Sequence, residues 1–159
     1  MLAEPRKRIS QKALIVWRIS GAIISAFFLL IAGGIIVFTL IFDWLVWISA
    51  AAIILFILTV VFSVFIFPKL RWKRWRYEVR EQEIELQHGM FIVTRTLVPM
   101  VRVQHVDTKQ GPLLRKYNLA SVTISTAATV HEIPALDNEE AEEMRVFISR
   151  LARVADEDV

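Results

Sequence analysis

From Ile19 to Phe67 the chain carries a single charged residue, Asp43. Asp43 divides this stretch into two apolar runs, Ile19–Phe42 and Trp44–Phe67. Each run exceeds the ~20 helical residues that span ~30 Å of hydrocarbon. A soluble helical hairpin normally keeps a polar stripe toward water, and neither run has one. A cleaved signal peptide has an apolar core of only ~7–15 residues, whereas here the first run is longer and a second follows directly. Backbone groups in lipid must be satisfied within the segment, so both runs are expected to be transmembrane helices.

The connection at Asp43 is so short that the two helices must be antiparallel neighbours. Phe42, Trp44 and Trp47 surround the charge, and aromatic rings favour the membrane–water interface. Gly21, Ser25, Gly33 and Gly34 on the first helix, with Ser49 to Ala52 on the second, would permit close backbone approach. Small residues are also simply common in such helices.

Charge is distributed asymmetrically about the hairpin. Arg6, Lys7, Arg8, Lys12 and Arg18 precede it, and Lys69, Arg71, Lys73, Arg74 and Arg76 follow it. Lys and Arg resist translocation, which places residues 1–18 and the C-terminal part in the cytoplasm and the Asp43 turn outside. From Tyr77 onward there are nine basic against fourteen acidic residues, so the basic excess sits against the spans. Anionic lipid is therefore the expected electrostatic partner, rather than nucleic acid. Residues 68–76 form a basic and aromatic juxtamembrane belt in which Arg71, Trp72, Lys73, Arg74, Trp75 and Arg76 are candidate lipid contacts. Pro68 is expected to end the second helix, since its ring interrupts the hydrogen-bond ladder.

Beyond the belt the period changes from helical to alternating. Ile84 and Leu86 alternate with Glu83, Glu85 and Gln87, and His88–Gly89 supplies a tight turn. Further strands are expected over Met90–Val98, Val101–Lys109, Ala120–Ala127 and Val130–Ile133, with one short helical turn at Leu113–Tyr117. Asp137 and Glu140 have capping-box spacing. Met144, Phe147, Ile148, Leu151 and Val154 then recur as one apolar helical stripe expected to close a side of the β structure.

The run VPMVRVQHVDTKQGPLLRKYNLASVTISTA (Val98–Ala127), the run HEIPALDNEEAEEMR (His131–Arg145) and the WRYEV start at Trp75–Val79 carry a family resemblance. Placed after a two-helix hairpin, they resemble the bacterial pleckstrin-homology-like (PH-like) membrane proteins of the YdbS-like type. The resemblance implies a small α+β domain over residues 77–159, following the hairpin at 19–67. That domain would be a PH-like antiparallel β-barrel or split barrel capped by the C-terminal helix. The resemblance also implies no enzyme activity, and association with a larger membrane protein that carries several PH-like domains.

Motifs for catalysis are not found. Cysteine is missing, which excludes disulfides and thiolate chemistry in this chain. His88, His105 and His131 lie on different expected strands without zinc-ligand spacing, and Glu139, Glu140, Glu142 and Glu143 read as the solvated first turns of a helix. No metal or cofactor is expected. Arg102, Lys109, Arg115 and Lys116 form a candidate patch for a lipid headgroup or an acidic peptide, or are ordinary punctuation of exposed strands. The combined expectation is a multi-pass protein of the bacterial cell membrane with both termini cytoplasmic. It would act as a non-enzymatic interaction module with a partner membrane protein, in envelope stress or antimicrobial-peptide protection. The alternative is a sensor of anionic lipid headgroups.

Overall fold

The first apolar run forms one helix, α1 (Lys12–Ile41), and the second forms α2 (Val46–Val60), a π-helical turn at Val61–Ile66 and α3 (Phe67–Arg74). The computed structural model describes residues 4–43 and 45–157, so the expected interfacial Trp44 lies outside the described residues. At ~1.5 Å per residue each helical stretch is about 45 Å long, ample for a bilayer. Their apolar side chains point outward: Leu30 is 76% and Leu40 73% exposed. A core helix of a soluble protein hides such groups, whereas a spanning helix offers them to lipid. Asp43 takes a left-handed conformation (φ 49°) in the exposed turn between the helices.

Pro68 does not end the second helix. The π-helical turn precedes it, with the Phe67 amide donating to the Phe62 carbonyl. This wider turn admits the proline ring where a regular ladder would clash, so the helix runs on to Arg74. The small-residue contact also differs from expectation. A Cβ on Gly21 would lie 2.4 Å from the Ser63 carbonyl oxygen, whereas Gly33 and Gly34 meet nothing within 4 Å. Hydroxyls explain the location. Ser25 Oγ donates to the Gly21 carbonyl at 2.8 Å and lies 3.1 Å from Ser63 Oγ, so these polar groups satisfy each other in an apolar setting.

Two units divide the chain: Trp17–Leu70, which holds the hairpin, and a domain that joins the stretch up to Val16 to everything from Arg71 onward. By sequence alone, residues 1–18 form a separate basic segment. Instead Lys7–Arg8 form β1, which pairs antiparallel with β2 (Arg76–Val79), and Ile9 is buried. The remaining elements are β3 (Glu83–His88), β4 (Thr94–Pro99), β5 (Val103–Lys109), α4 (Pro112–Lys116), β6 (Leu119–Thr126), β7 (Val130–Asp137) and α5 (Asn138–Glu157). Two antiparallel sheets result, β1-β2-β3-β4 and β5-β6-β7. They do not close into a barrel. Pro99 and a 3-10 turn at Met100–Arg102 separate β4 from β5, leaving each as an edge strand.

Tyr77, Ile84, Leu86, Met100, Leu119, Ile124, Ile133, Leu136 and Ile148 are the largest fully buried side chains. Each aliphatic one contributes roughly 1.5–3 kcal/mol by leaving water. A β-bulge between Ala120 and Val122 is matched on β7 by Ala135 in a left-handed conformation (φ 51°). That turn aims the Ala135 carbonyl at the Ser10 amide (3.3 Å), tying the N-terminal stretch to the second sheet.

The C-terminal helix caps the core with Ala141, Met144 and Ile148, while Phe147 is 37% and Val154 51% exposed. One residue is a 100° step on a helix, so Phe147 falls off the stripe that Ile148 occupies, and the Arg150 guanidinium covers its ring at 5.7 Å. The expected capping box is replaced by longer-range bonds. Asp137 ends β7 and accepts from Lys12 Nζ at 3.2 Å, and Glu140 accepts from Tyr77 Oη at 2.7 Å. The expected strand over Met90–Val98 starts only at Thr94, because Gly89–Val93 form a turn.

Candidate functional site

Among the described residues, no three His, Cys, Asp or Glu side chains come together as metal ligands would. The juxtamembrane candidates separate into enclosed rings and accessible cations. Trp75 is 7% exposed and stacks on His88 with ring centroids 5.5 Å apart. Trp72 is half-buried, donates from Nε1 to the Ser10 carbonyl at 3.2 Å, and has the Arg8 guanidinium 5.7 Å from its ring centre. These tryptophans hold the N-terminal stretch and β3 to the domain, with Trp75 enclosed and Trp72 half-buried. Arg71 and Lys73 are exposed on α3, and Arg74 is half-buried. Arg76 lies in β2 and pairs with Glu4 at 2.6 Å.

The second set of cations is not one patch. Arg102 ends the 3-10 turn before β5, and Lys109 ends β5. At ~3.3 Å per residue the strand holds them roughly 20 Å apart. Lys109, Arg115 and Lys116 fall at one end of the strand, around α4, all exposed. Arg102 belongs to another feature.

That feature is the open seam between the sheets. A groove of about 1320 Å³ is lined by Leu97 and Pro99 of β4, by Val101, Arg102, Val103, Gln104 and Val106, by Thr126–Thr129, and by Ser149, Ala152 and Arg153 of α5. Leu97 and Val101 are exposed large hydrophobics on its rim. Both strands that border it are sheet edges, each paired with a strand on one side only. Sequence reasoning missed this groove because the closure of a sheet is not written in alternation. Its local signal is Pro99, which stops one strand two residues before the next is expected at Val101.

A smaller cavity, about 410 Å³, brings together Arg71, Trp75, His88, Met90, His131 and Glu132. The two histidines thus meet at one cavity although their strands belong to different sheets. On β2, Tyr77 is fully buried. Burial, then the hydrogen bond to Glu140 and that carboxylate's charge, hold its phenol far above the usual tyrosine range. On the exposed rim of β2–β3, Arg80 bonds Glu78, Glu83 and Glu85 at 2.9–3.3 Å, which pulls the Glu78 carboxyl below its ordinary value.

With this geometry in place, comparison with known proteins is specific. A family model described as Bacterial PH domain matches residues 14–152. The chain is 57% identical, over the whole of both chains, to UPF0699 transmembrane protein YdbS of Bacillus subtilis (strain 168). It is 26% identical over 80 residues to UPF0699 transmembrane protein YdbT of the same organism, covering 48% of this chain and 16% of that protein. No solved structure matches it. With two long, outward-facing apolar helices, these likenesses make it a membrane-associated protein carrying a PH-like domain.

Proposed function

We propose, for a chain that belongs to the bacterial PH domain family, a non-enzymatic role as a membrane-anchored module whose open seam receives a partner membrane protein at the cytoplasmic face. The observation that carries this reading is the groove between β4 and β5, bordered by two sheet-edge strands and exposed Leu97 and Val101. An edge of this kind accepts an added strand through main-chain hydrogen bonds, with apolar rim residues giving selectivity. The partner is a larger PH-like membrane protein. Its candidate is a protein of the YdbT kind, to which this chain is similar over a short stretch of a much longer sequence. We further assign the pair a role in protecting the envelope against stress or antimicrobial peptides, which raised peptide sensitivity on deleting either gene would support.

Co-expression of the full chain with a YdbT-like protein from the same genome, followed by purification in mild detergent, tests the seam. The two should co-purify stoichiometrically, and Leu97→Arg with Val101→Glu should abolish it without unfolding the domain. Co-purification unaffected by the double variant removes the seam from the account. The positive flanks support both termini inside. A C-terminal reporter active only outside the cytoplasm should be silent, and activity there would reverse the topology. The exposed Arg71 and Lys73 on α3 favour a second, lipid-headgroup reading. Under it, binding to anionic vesicles should weaken as salt rises.

A further inference from the structure

We propose that the β3–β4 turn, Gly89–Val93, inserts its Phe91–Ile92 tip into the interfacial layer of the bilayer that holds the two apolar helices. This goes beyond the seam and rests on different residues. Phe91 and Ile92 are 80% and 82% exposed, and Val93 beside them is also exposed. An adjacent pair of large apolar side chains left bare on a turn marks an interaction surface more than a packing accident.

The turn is a built structure. Gly89 sits at φ 121°, and a Cβ there would lie 1.8 Å from the Ile92 carbonyl oxygen, so only glycine permits the chain to fold back this tightly. The last strand pair before it is His88 with Thr94, and His88 is fixed by stacking on Trp75. Phe91 and Ile92 are thus presented from a fixed base.

Strand register shows which end of the sheet carries the turn. Gln87 of β3 pairs with Arg76, the first residue of β2, and Arg76 pairs with Arg8 of β1. One residue separates Arg76 from the end of the second span's helix at Arg74, and three separate Arg8 from the start of the first span's helix at Lys12. Both connections to the apolar helices therefore leave from the end of the sheet at which the turn stands. Met90 of the turn and Arg71 of α3 line the same small cavity, which confirms the juxtaposition. A bilayer is the apolar phase within reach of that end. Exposed Arg71 shares a cavity with Gly89 and Met90, and exposed Arg95 is one residue inside the last strand pair, as expected for an apolar wedge that enters below anionic or zwitterionic headgroups.

The chain has no cysteine, so a single spin label can be placed without removing native residues. The purified full-length protein carrying a nitroxide at Ile92→Cys would be reconstituted at low density into phosphatidylcholine vesicles. Collision with oxygen, which concentrates in lipid, would be compared with collision with a water-soluble nickel chelate. A label at Gln104→Cys on exposed β5 serves as the aqueous reference. An oxygen-to-nickel ratio several-fold above the reference supports insertion. A ratio equal to the reference overturns it, and shielding from both reagents also overturns it, by showing that protein covers the tip. As a second arm, a label at Thr94→Cys is followed with and without Phe91→Asp and Ile92→Asp. Nickel access should rise several-fold in the charged variant, and an unchanged value contradicts the proposal.

Discussion

Residues 72–77 and residues 91–92 both bring large apolar side chains to the end of the first sheet at which the chain joins the apolar helices. The first set is enclosed: Trp75 stacks on His88, Tyr77 is fully buried, and Trp72 is tied to Ser10. The second set stands beyond the last paired residues of the β3–β4 hairpin with no strand beside it. Composition does not separate the two, for each mixes rings with neighbouring cations. Contacts within the domain do. Trp72 on α3, Trp75 just before β2 and Tyr77 inside the ladder each find a partner there, whereas a residue past the final pair has only what the surrounding phase provides.

Trp75→Ala makes the sharpest break in this comparison. Removing an enclosed tryptophan costs roughly 3–5 kcal/mol, a large share of a small domain's stability. The variant should lose protease resistance in detergent. Resistance equal to the parent would show that the ring is not part of the core.

Tyr77→Phe should act at about 1.5–3 kcal/mol, because it removes a buried hydrogen bond to a carboxylate. It also carries a pH signature. The folded phenol keeps its proton above the pH at which the unfolded one loses it, so the parent's stability falls as pH rises past ~10. The difference between parent and Tyr77→Phe should shrink over that range. A constant difference from neutral to alkaline pH would break the link.

Phe91→Ser sits at the other extreme, where the expected change in the domain's own stability is within about 0.5 kcal/mol. A thermal melt in detergent shifted as far as that of Trp75→Ala would erase the contrast between the two regions.

The features legible in the sequence share a local cause. Two spans follow from charge-free length, and β3 and β6 follow from alternation with nearby turn residues. α5 follows from period, though Phe147 shows how one residue of phase decides enclosure. What escaped reading depends on distant partners. Lys7–Arg8 is too short and too charged to announce a strand, and becomes one only because β2 offers an edge. Pro68 continues a helix because the π-helical turn before it makes room. Met90–Val93 looks like strand core until the left-handed Gly89 turns it out of the ladder. Of the candidate site, the sequence marked Arg102 as a charge of interest but not the groove it borders, since an open seam is a relation between two sheets.

Cross-linking from single positions tests the central claim that the seam is the docking surface. Cysteines placed singly at Gln104 in the groove, Lys116 on α4 and Glu143 on α5 would each carry a short photo-cross-linker, in cells that co-express the larger YdbT-like protein. The account predicts covalent capture of that partner from position 104 and none from 116 or 143. Capture from 116 or 143, with 104 remaining free, would place the partner elsewhere and contradict the seam.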